Sequence, residues 1–288
     1  MVLNSGIAVL GTGTMGSAFA RRLLGARMRV RVWDVSYAAA ARLADAGAQV
    51  ARNPEEAVGD VRVVLTMVPT IASLEETMPR VLPAMRAGAT WLQMSTIGVG
   101  GTERAETLCK QLRPDVTFVD APVSGSKVPA EQGKLLILAS GPAAALDELA
   151  PVFAALGQKT MRWDRAGSGS RMKMVLNTWL AILAEGISET AALAQSLDVS
   201  LDDLSACLGS TALNAPWALA KLAKIEHEAF DPDFSLALAT KDLHLALDAA
   251  AGAHRTLPIA QTIGKQWDDA LQAGFGDRDV AGAYLQLH

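Results

Sequence analysis

Cysteine and histidine are scarce in this sequence. The two cysteines, Cys109 and Cys207, are too few for a disulfide framework and have no metal-ligand spacing. The four histidines are spread over the C-terminal part of the chain without a zinc-binding pattern such as HExxH: His227, His244, His254 and His288. We therefore expect two reduced thiols and no bound metal ion.

Positive charge is not in excess either. The chain has 26 Lys and Arg residues against 30 Asp and Glu residues, a net charge of -4. It therefore has no long-range positive field to attract a polyanion. This balance excludes nucleic acid as an expected partner, whereas a small anion can still bind at a helix N-terminus or beside one lysine.

Long apolar runs are also missing. The longest apolar helical segment, residues 176–187, is interrupted by Asn177, Thr178 and Glu185, so it falls short of the ~18 uninterrupted residues of a membrane span. The first residues, Met1–Gly6, lack the basic start and the cleavage site of a signal peptide. We expect a cytoplasmic protein without a membrane segment.

Apolar material for a core is plentiful, because half of the 288 residues are hydrophobic. From Ile7 to about Leu138, short Val, Ile and Leu runs alternate with Ala-rich, charged segments of helical period. This alternation predicts an α/β fold with a doubly wound, mostly parallel sheet of the Rossmann type. The predicted strands are Ile7–Leu10, Val30–Trp33, Val61–Met67, Thr90–Met94, Thr117–Asp120 and Leu135–Leu138. Gly16–Leu24 and Tyr37–Ala46 are predicted helices between them.

The pattern changes after Trp163, where strand-like segments stop. Residues 172–197 predict one helix of about 26 residues, nearly 40 Å long, with Ser170 as its expected cap. Further helices follow between prolines, so we predict an α/β domain over residues 1–163 and an all-α domain over residues 164–288. Because so long a helix exposes more surface than one domain covers, we also expect a homo-oligomer, either a homodimer or a homotetramer.

A glycine-rich loop follows the first predicted strand and opens the first helix: Gly11-Thr12-Gly13-Thr14-Met15-Gly16. Gly11 permits a tight turn, Gly13 lets the backbone approach a pyrophosphate, and Gly16 lets helix and strand pack closely. The helix N-terminus attracts the negative charge. The loop predicts a dinucleotide-binding domain; the alternative is a glycine turn without a ligand.

An acidic residue, Asp34, ends the second predicted strand. A carboxylate at this position accepts hydrogen bonds from the adenosine ribose and repels a 2′-phosphate. The sequence therefore favours NAD over NADP. Alternatively, Asp34 caps the following helix, a role that is compatible with ribose binding.

Beyond this loop, several segments resemble the β-hydroxyacid dehydrogenase family, which includes 3-hydroxyisobutyrate dehydrogenase and the glyoxylate or succinic semialdehyde reductases. The segments span nearly the whole chain: Met94–Ile97, Asp120–Gly125, Gly167–Gly169 leading to Lys173 and Asn177, and Lys241–Leu243. Ser124–Glu131 resembles the glyoxylate/succinic semialdehyde reductase branch most. That branch usually has Asn-Arg where Asp34-Val35 stand here and uses NADPH, so we follow the carboxylate and keep NADP as the second choice.

The resemblance implies that Lys173 is the general acid/base, a role that suits an ammonium group able to protonate and stabilise a nascent alkoxide. Asn177, one helical turn further on, would share its face and orient the substrate or the lysine. From spacing alone, Lys173 is equally a solvated helix lysine beside Arg171, and Asn177 an ordinary polar helix residue.

Ser124 and the amide of Gly125 are expected to bind the substrate carboxylate through two donors; the alternative is a plain turn after a strand. The resemblance further implies that Met67-Val68-Pro69 and Thr96 lie near the nicotinamide, and that Lys241 contacts substrate or cofactor. The alternative for Lys241 is an exposed lysine paired with Asp242.

These features together predict an oxidoreductase that transfers a hydride between a nicotinamide cofactor and a small hydroxy acid or aldehyde acid of the 3-hydroxyisobutyrate, glyoxylate or succinic semialdehyde type. One alternative is an imine reductase, which resembles the same fold group but generally lacks the lysine. The other is a protein that binds NAD(H) without turnover.

Overall fold

The computed structural model describes residues 6–287 of the chain. The expected lack of a signal peptide concerns Met1–Ser5, and these residues and His288 lie outside that range. The chain divides into two compact units, and the division along the chain falls between Lys173 and Met174. Within residues 6–287, no helix combines the length and the apolar character that a bilayer crossing requires.

The first unit is built on one mostly parallel sheet with helices between its strands. In chain order its elements are β1 Ile7–Leu10, α1 Thr14–Gly25, β2 Val30–Trp33, α2 Tyr37–Ala41, β3 Gln49–Val50, α3 Pro54–Val58, β4 Val63–Thr66, α4 Ile71–Ala84, β5 Thr90–Gln93, α5 Gly98–Leu112, β6 Thr117–Asp120, β7 Val123–Ser124, α6 Lys127–Gln132, β8 Leu135–Ser140, α7 Ala143–Glu148, α8 Ala150–Leu156 and β9 Gly157–Trp163.

The sheet has the strand order β3-β2-β1-β4-β5-β6-β8-β7, and β9 pairs with β8. Strands β1 to β6 are all parallel to one another, whereas β8 runs antiparallel to both β6 and β7. A parallel order that starts 3-2-1-4-5-6 is that of the doubly wound dinucleotide-binding fold. The predicted fold class is therefore confirmed.

The central strands are buried on both faces, and alternate side chains enter two separate cores. Ile7 and Val9 pack with Phe19 on one face, whereas Leu10 packs with Trp91 on the other. Two covered faces explain why these strands read as continuous apolar runs rather than as alternating ones.

Three sequence expectations for the first unit need correction. The strand expected at Val61–Met67 is only Val63–Thr66, and the helix expected at Tyr37–Ala46 stops at Ala41 and resumes as a short 3₁₀ helix, Ala44–Ala46. Strand β9 was not predicted because most of its residues are polar or solvent-facing, as at the edge of a sheet.

The remaining elements are helical: α9 Ser168–Ser196, α10 Leu201–Gly209, α11 Pro216–Glu226, α12 Leu236–Gly252, α13 Pro258–Gln272 and a 3₁₀ helix Val280–Gln286. The division between the units falls inside α9, while the domain boundary at residue 164 stays a prediction. Helix α9 begins earlier than expected, so Ser170 does not cap it. Ser170 lies in its first turn, and its hydroxyl points at Asp120.

A buried ion pair joins α11 to the C-terminal 3₁₀ helix in the second unit. Lys221 Nζ lies 2.8 Å from Asp279 Oδ1, and their side chains are only 5% and 0% exposed. The Asp279 carboxylate also accepts the backbone N–H groups of Asp233 and Ala281. Removing one partner of such a pair leaves a buried charge uncompensated.

Candidate active site

The glycine loop between β1 and α1 has room for side chains at only one of its three glycines. A Cβ atom at Gly11 would lie 2.3 Å from the Met67 carbonyl oxygen, and one at Gly16 would lie 1.9 Å from the Gly11 carbonyl oxygen. At Gly13, a Cβ would meet nothing within 4 Å. The space above Gly13 is therefore open for a ligand to approach the backbone.

The N-terminus of α1 presents amide groups to this open space. Its cap residue, Gly13, offers no side-chain acceptor, and the first intrahelical bond runs from Ser17 N to Gly13 O at 2.9 Å. The N–H groups of Thr14, Met15 and Gly16 precede that bond and have no acceptor within the helix. Such a group of amides suits a pyrophosphate, so the loop fits a dinucleotide.

Asp34 holds the glycine loop in place. Its Oδ2 accepts hydrogen bonds from Thr12 N at 2.6 Å and from Thr12 Oγ1 at 3.1 Å. Its Oδ1 accepts one from the amide of Ser36, the residue that caps α2, at 2.9 Å. The carboxylate thus sets a negative charge beside the loop and orders both loops that meet there. Its contact with a ribose stays a prediction.

The segments after β4 and β5 are tied to each other at the carboxyl edge of the sheet. Val68 N donates to Ser95 Oγ at 2.8 Å, while Gln93 and Ser95 exchange two hydrogen bonds of 2.9 and 2.6 Å. These bonds fix Met67-Val68-Pro69 beside the segment that contains Thr96. Sequence reasoning treated Ser95 only as part of the Met94–Ile97 motif and missed Gln93, although a glutamine at the end of an apolar strand was a usable signal.

Ser124 is the last residue of the short strand β7, and Gly125 follows it. Ser124 pairs with Leu136 of β8, and Gly125 has a φ of +130°. A Cβ at Gly125 would lie 2.7 Å from a methyl carbon of Leu135. Gly125 is therefore restricted to glycine both by its backbone conformation and by its neighbour, which leaves its amide without a covering side chain.

Lys173 lies in the second turn of α9 and is 9% exposed. Burial of a lysine is rare in proteins, so the plain alternative of a solvated helix lysine does not describe it.

The start of α9 is held by Asp120, a fully buried carboxyl group that the sequence reasoning treated only as part of a motif. Burial raises the pKa of Asp120 to about 6, against hydrogen bonds from Ser170 and Ser140 that lower it.

In the second unit, a buried carboxylate joins two of the predicted site residues. Asp242 Oδ2 accepts a hydrogen bond from Asn177 Nδ2 at 2.9 Å, and its Oδ1 lies 2.8 Å from Lys241 Nζ. With its amide nitrogen engaged, Asn177 keeps its carbonyl oxygen as an acceptor. Lys241 is paired with Asp242, as the alternative for it supposed, and its role toward a substrate or cofactor stays a prediction.

The remaining chemistry-bearing residues lie apart from these groups. Both cysteines are free: Cys109 is buried and Cys207 is exposed. Burial raises the pKa of the Cys109 thiol to about 11, which makes it unreactive at neutral pH. Among residues 6–287, no three His, Cys, Asp or Glu side chains are arranged to hold a metal ion.

The chain combines a doubly wound sheet and a dinucleotide loop with a helical unit and a helix that carries a buried lysine. These features together define a nicotinamide-dependent oxidoreductase. Residues 6–164 match the family model of the NAD-binding domain of 6-phosphogluconate dehydrogenase. Residues 167–287 match that of the NAD-binding region of NADP-dependent 3-hydroxyisobutyrate dehydrogenase. The chain belongs to the NAD(P)-dependent β-hydroxyacid dehydrogenase family, which confirms the resemblance seen in the sequence.

Individual relatives agree with this assignment over nearly the full length. The chain is 30% identical to glyoxylate/succinic semialdehyde reductase 1 of Arabidopsis thaliana, over 96% of both proteins. It is 29% identical to 3-sulfolactaldehyde reductase of Escherichia coli, over 98% of this chain and 95% of that one. The solved structure of Mycobacterium tuberculosis 3-hydroxyisobutyrate dehydrogenase with L-serine matches with a TM-score of 0.89 and 30% identity, over 99% of both chains.

Proposed function

We propose that this enzyme interconverts a small hydroxy acid and the corresponding aldehyde acid, with Lys173 as the general acid/base. The observation that carries the proposal is a lysine buried on α9 in the same unit as the dinucleotide loop. Its similar proteins are named for glyoxylate, succinic semialdehyde, 3-sulfolactaldehyde and 3-hydroxyisobutyrate. A short anionic substrate with one aldehyde or hydroxyl group is therefore the expected class.

The glycine loop binds the cofactor pyrophosphate through the amides of Thr14, Met15 and Gly16. Gly11 allows the turn, and Gly13 lets the pyrophosphate come close to the backbone. Met67-Val68-Pro69 and Thr96 contact the nicotinamide half. When bound, the nicotinamide supplies or accepts the hydride. Asp34 favours NAD, because a carboxylate beside the loop repels a 2′-phosphate.

The substrate carboxylate is held by Ser124 Oγ and the Gly125 amide. Both groups donate hydrogen bonds, which a carboxylate accepts well. In reduction, Lys173 Nζ gives a proton to the oxygen that becomes the hydroxyl, and in oxidation it takes that proton back. Asn177, oriented by Asp242, accepts a hydrogen bond from the substrate hydroxyl or from the lysine. Lys241 adds positive charge toward the substrate or cofactor.

Replacing Lys173 with Ala tests the proposal. Turnover should fall by roughly 10²-fold or more, because general acid/base catalysis contributes this much, while NADH binding followed by fluorescence stays within about twofold. Lys265→Ala, at an exposed lysine of α13, serves as the control and should change neither. A Lys173→Ala enzyme with parental kcat would refute the catalytic role.

A spectrophotometric screen tests the substrate class and the cofactor. We expect turnover with small aldehyde acids such as glyoxylate or succinic semialdehyde, and a higher kcat/KM with NADH than with NADPH. Asp34→Asn should lower the ratio of kcat/KM with NADH to kcat/KM with NADPH by roughly tenfold, equivalent to about 1.4 kcal/mol. Turnover confined to cyclic imines would instead favour an imine reductase, and tight NADH binding without any turnover would favour a non-catalytic protein.

We also propose that the protein is a homodimer or homotetramer whose interface includes α9. Val175, Trp179 and Leu193 are 66%, 58% and 60% exposed and lie on one face of this helix, with Leu197 just beyond its end at 64%. A solvated apolar stripe of this length is unusual for a monomer. Light scattering should give a molecular mass that is a multiple of 30.2 kDa. Trp179→Glu should lower the measured mass, whereas the control Ile259→Glu, at an apolar residue exposed on α13, should leave it unchanged.

The functional domains are proposed as residues 1–163 for the cofactor and residues 164–288 for substrate binding and assembly. The cytoplasm is the proposed compartment, supported by two free thiols, one of them exposed. Alkylation of both thiols in unfolded protein purified without reductant would agree with this compartment, and a native disulfide would contradict it.

A further inference from the structure

A buried hydrogen-bonded network lies where α9 begins, three residues before Lys173. Asp120 ends β6, Ser140 ends β8, and Thr102 lies in α5, so three separate elements meet the helix here. We call this group, with Gly169 and Ser170, the Asp120 network. Its four side chains are at most 2% exposed, and the proposed mechanism gives none of them a chemical role.

The network satisfies amide groups that the helix itself leaves without partners. Asp120 Oδ2 accepts the amide N–H of Ser170 at 2.8 Å, and Ser140 Oγ accepts that of Gly169 at 3.0 Å. Ser140 Oγ in turn donates to the Asp120 carboxyl group at 3.1 Å. First-turn amides have no intrahelical acceptor, so the ends of β6 and β8 anchor the start of α9.

The anchoring leaves little freedom for the helix to slide. A Cβ atom at Gly169 would lie 2.0 Å from the carbonyl oxygen of Leu138 in β8. The backbone of α9 therefore rests directly on the backbone of the sheet, at a position that accepts only glycine.

The hydroxyl groups of Ser170 and Thr102 extend the network from Asp120 to α5. Ser170 Oγ donates to Asp120 Oδ1 at 2.7 Å and lies 2.8 Å from Thr102 Oγ1, which lies 2.9 Å from the Gly98 carbonyl oxygen. Because each hydroxyl has one proton to give, the Thr102 proton is left for Ser170 Oγ or the Gly98 carbonyl oxygen. Asp120 therefore accepts from three donors: the Ser170 hydroxyl, the Ser170 amide and the Ser140 hydroxyl.

Neutral groups donate the hydrogen bonds that hold Asp120. Its charged neighbour Arg171 acts from a distance and is paired with Glu103 at 2.7 Å on the partly exposed side of α9. Burial therefore raises the pKa of Asp120 in spite of these hydrogen bonds.

We propose that Asp120 is a positioning residue, which fixes the first turn of α9 against the sheet and thereby sets the location of the Lys173 ammonium group. The proposal rests on the proposed catalytic role of Lys173. Ser170 and Lys173 are three residues apart on one helix, so they are neighbours on its surface. A displacement of about 1 Å at a catalytic group can cost on the order of 10²-fold in rate.

A double-mutant cycle between Asp120 and Lys173 tests this role. Asp120→Val removes the acceptors and should lower kcat by roughly 10- to 100-fold while NADH affinity stays within about twofold. In a Lys173→Ala background there is no lysine to position, so adding Asp120→Val should leave the residual rate unchanged within about twofold. This residual rate is measured at high enzyme concentration, both without and with ethylamine, a free amine that replaces the missing lysine side chain.

Two further variants and one control keep the test independent of folding. Asp120→Asn keeps an acceptor for the Ser170 amide and a hydrogen-bonding group beside the Ser170 hydroxyl, so it should retain at least about a third of the parental kcat. Ser170→Ala removes only the hydroxyl arm and should give a smaller loss of kcat, again absent without Lys173. The control Asn53→Ala removes the side-chain cap of α3, which is distant in the sequence from Asp120 and Lys173. It should lower the Tm and leave kcat unchanged.

The outcomes separate the two proposals. Parental kcat in both Asp120→Val and Ser170→Ala, or equal losses with and without Lys173, would overturn the positioning role while leaving the proposed function intact. Parental kcat in Lys173→Ala would instead remove the catalytic lysine, and the positioning role with it. A loss that appears only when Lys173 is present supports both.

Discussion

Replacing Asp120 with Asn should change how the stability of the protein depends on pH. Burial raises the pKa of the folded Asp120 to about 6, whereas an unfolded aspartate titrates near 3.9. The folded protein therefore binds more protons than the unfolded chain between these values, and this group's contribution to stability declines as the pH rises through that window. It is present in full below about pH 4 and lost above about pH 6.

The magnitude follows from the two pKa values. With about 6 for the folded state and about 3.9 for the unfolded state, the linkage relation gives a loss of about 2 kcal/mol between pH 4.5 and pH 7.5. Asparagine does not titrate, so the variant lacks this loss. Any fixed cost of the substitution, such as an amide N–H without an acceptor, cancels when the two pH values are compared.

Urea unfolding of both proteins at pH 4.5 and pH 7.5, without cofactor, measures the effect. The free energy of unfolding of Asp120→Asn, relative to the parent, should increase by about 2 kcal/mol on going from pH 4.5 to pH 7.5. Asp203→Asn, an exposed aspartate in the first turn of α10, is the matched control. An unchanged difference at the two pH values would show that burial does not raise the pKa of Asp120 in the folded protein.

Two other substitutions test the loop and the second unit. Gly16→Ala should abolish NADH binding and lower the Tm, because its Cβ would lie 1.9 Å from the Gly11 carbonyl oxygen. The control Gly252→Ala should change neither, because its Cβ would meet nothing within 4 Å. Fluorescence titration measures the binding and thermal melting the Tm, and normal NADH binding by Gly16→Ala would contradict the loop geometry. Lys221→Met should destabilise the protein by about 3–5 kcal/mol, since it removes the nearer cation of the buried Asp279 and leaves only Lys224, 3.9 Å from Oδ2. Urea unfolding measures this, and a loss below about 1 kcal/mol would mean that Lys224 and the backbone donors suffice for Asp279.

Local patterns predicted the elements that are apolar and the loops that need glycine. Strands β1, β2 and β6 begin and end where the sequence indicated. β1 is a continuous apolar run that is buried throughout, whereas β2 alternates buried valines with partly exposed residues, and both patterns are visible in the sequence. Strands β3, β7 and β9 were missed, since short or solvent-facing strands are selected by their neighbours in the sheet rather than by their own pattern. Ser170 was assigned to a helix cap because Ser favours caps in general, and nothing local indicated a carboxyl group fifty residues earlier.

The sequence by itself determined the class of enzyme, the dinucleotide loop and the candidate residues on it, because these depend on glycine spacing and on the alternation of strands and helices along the chain. Only the tertiary structure decided that Asp120 anchors α9, that Asp242 accepts a hydrogen bond from Asn177, and that Gln93 and Ser95 hold together the segments after β4 and β5. Each of these contacts joins polar groups of separate elements in the protein interior. The need to satisfy such groups acts in three dimensions, so no periodicity of the chain reveals it.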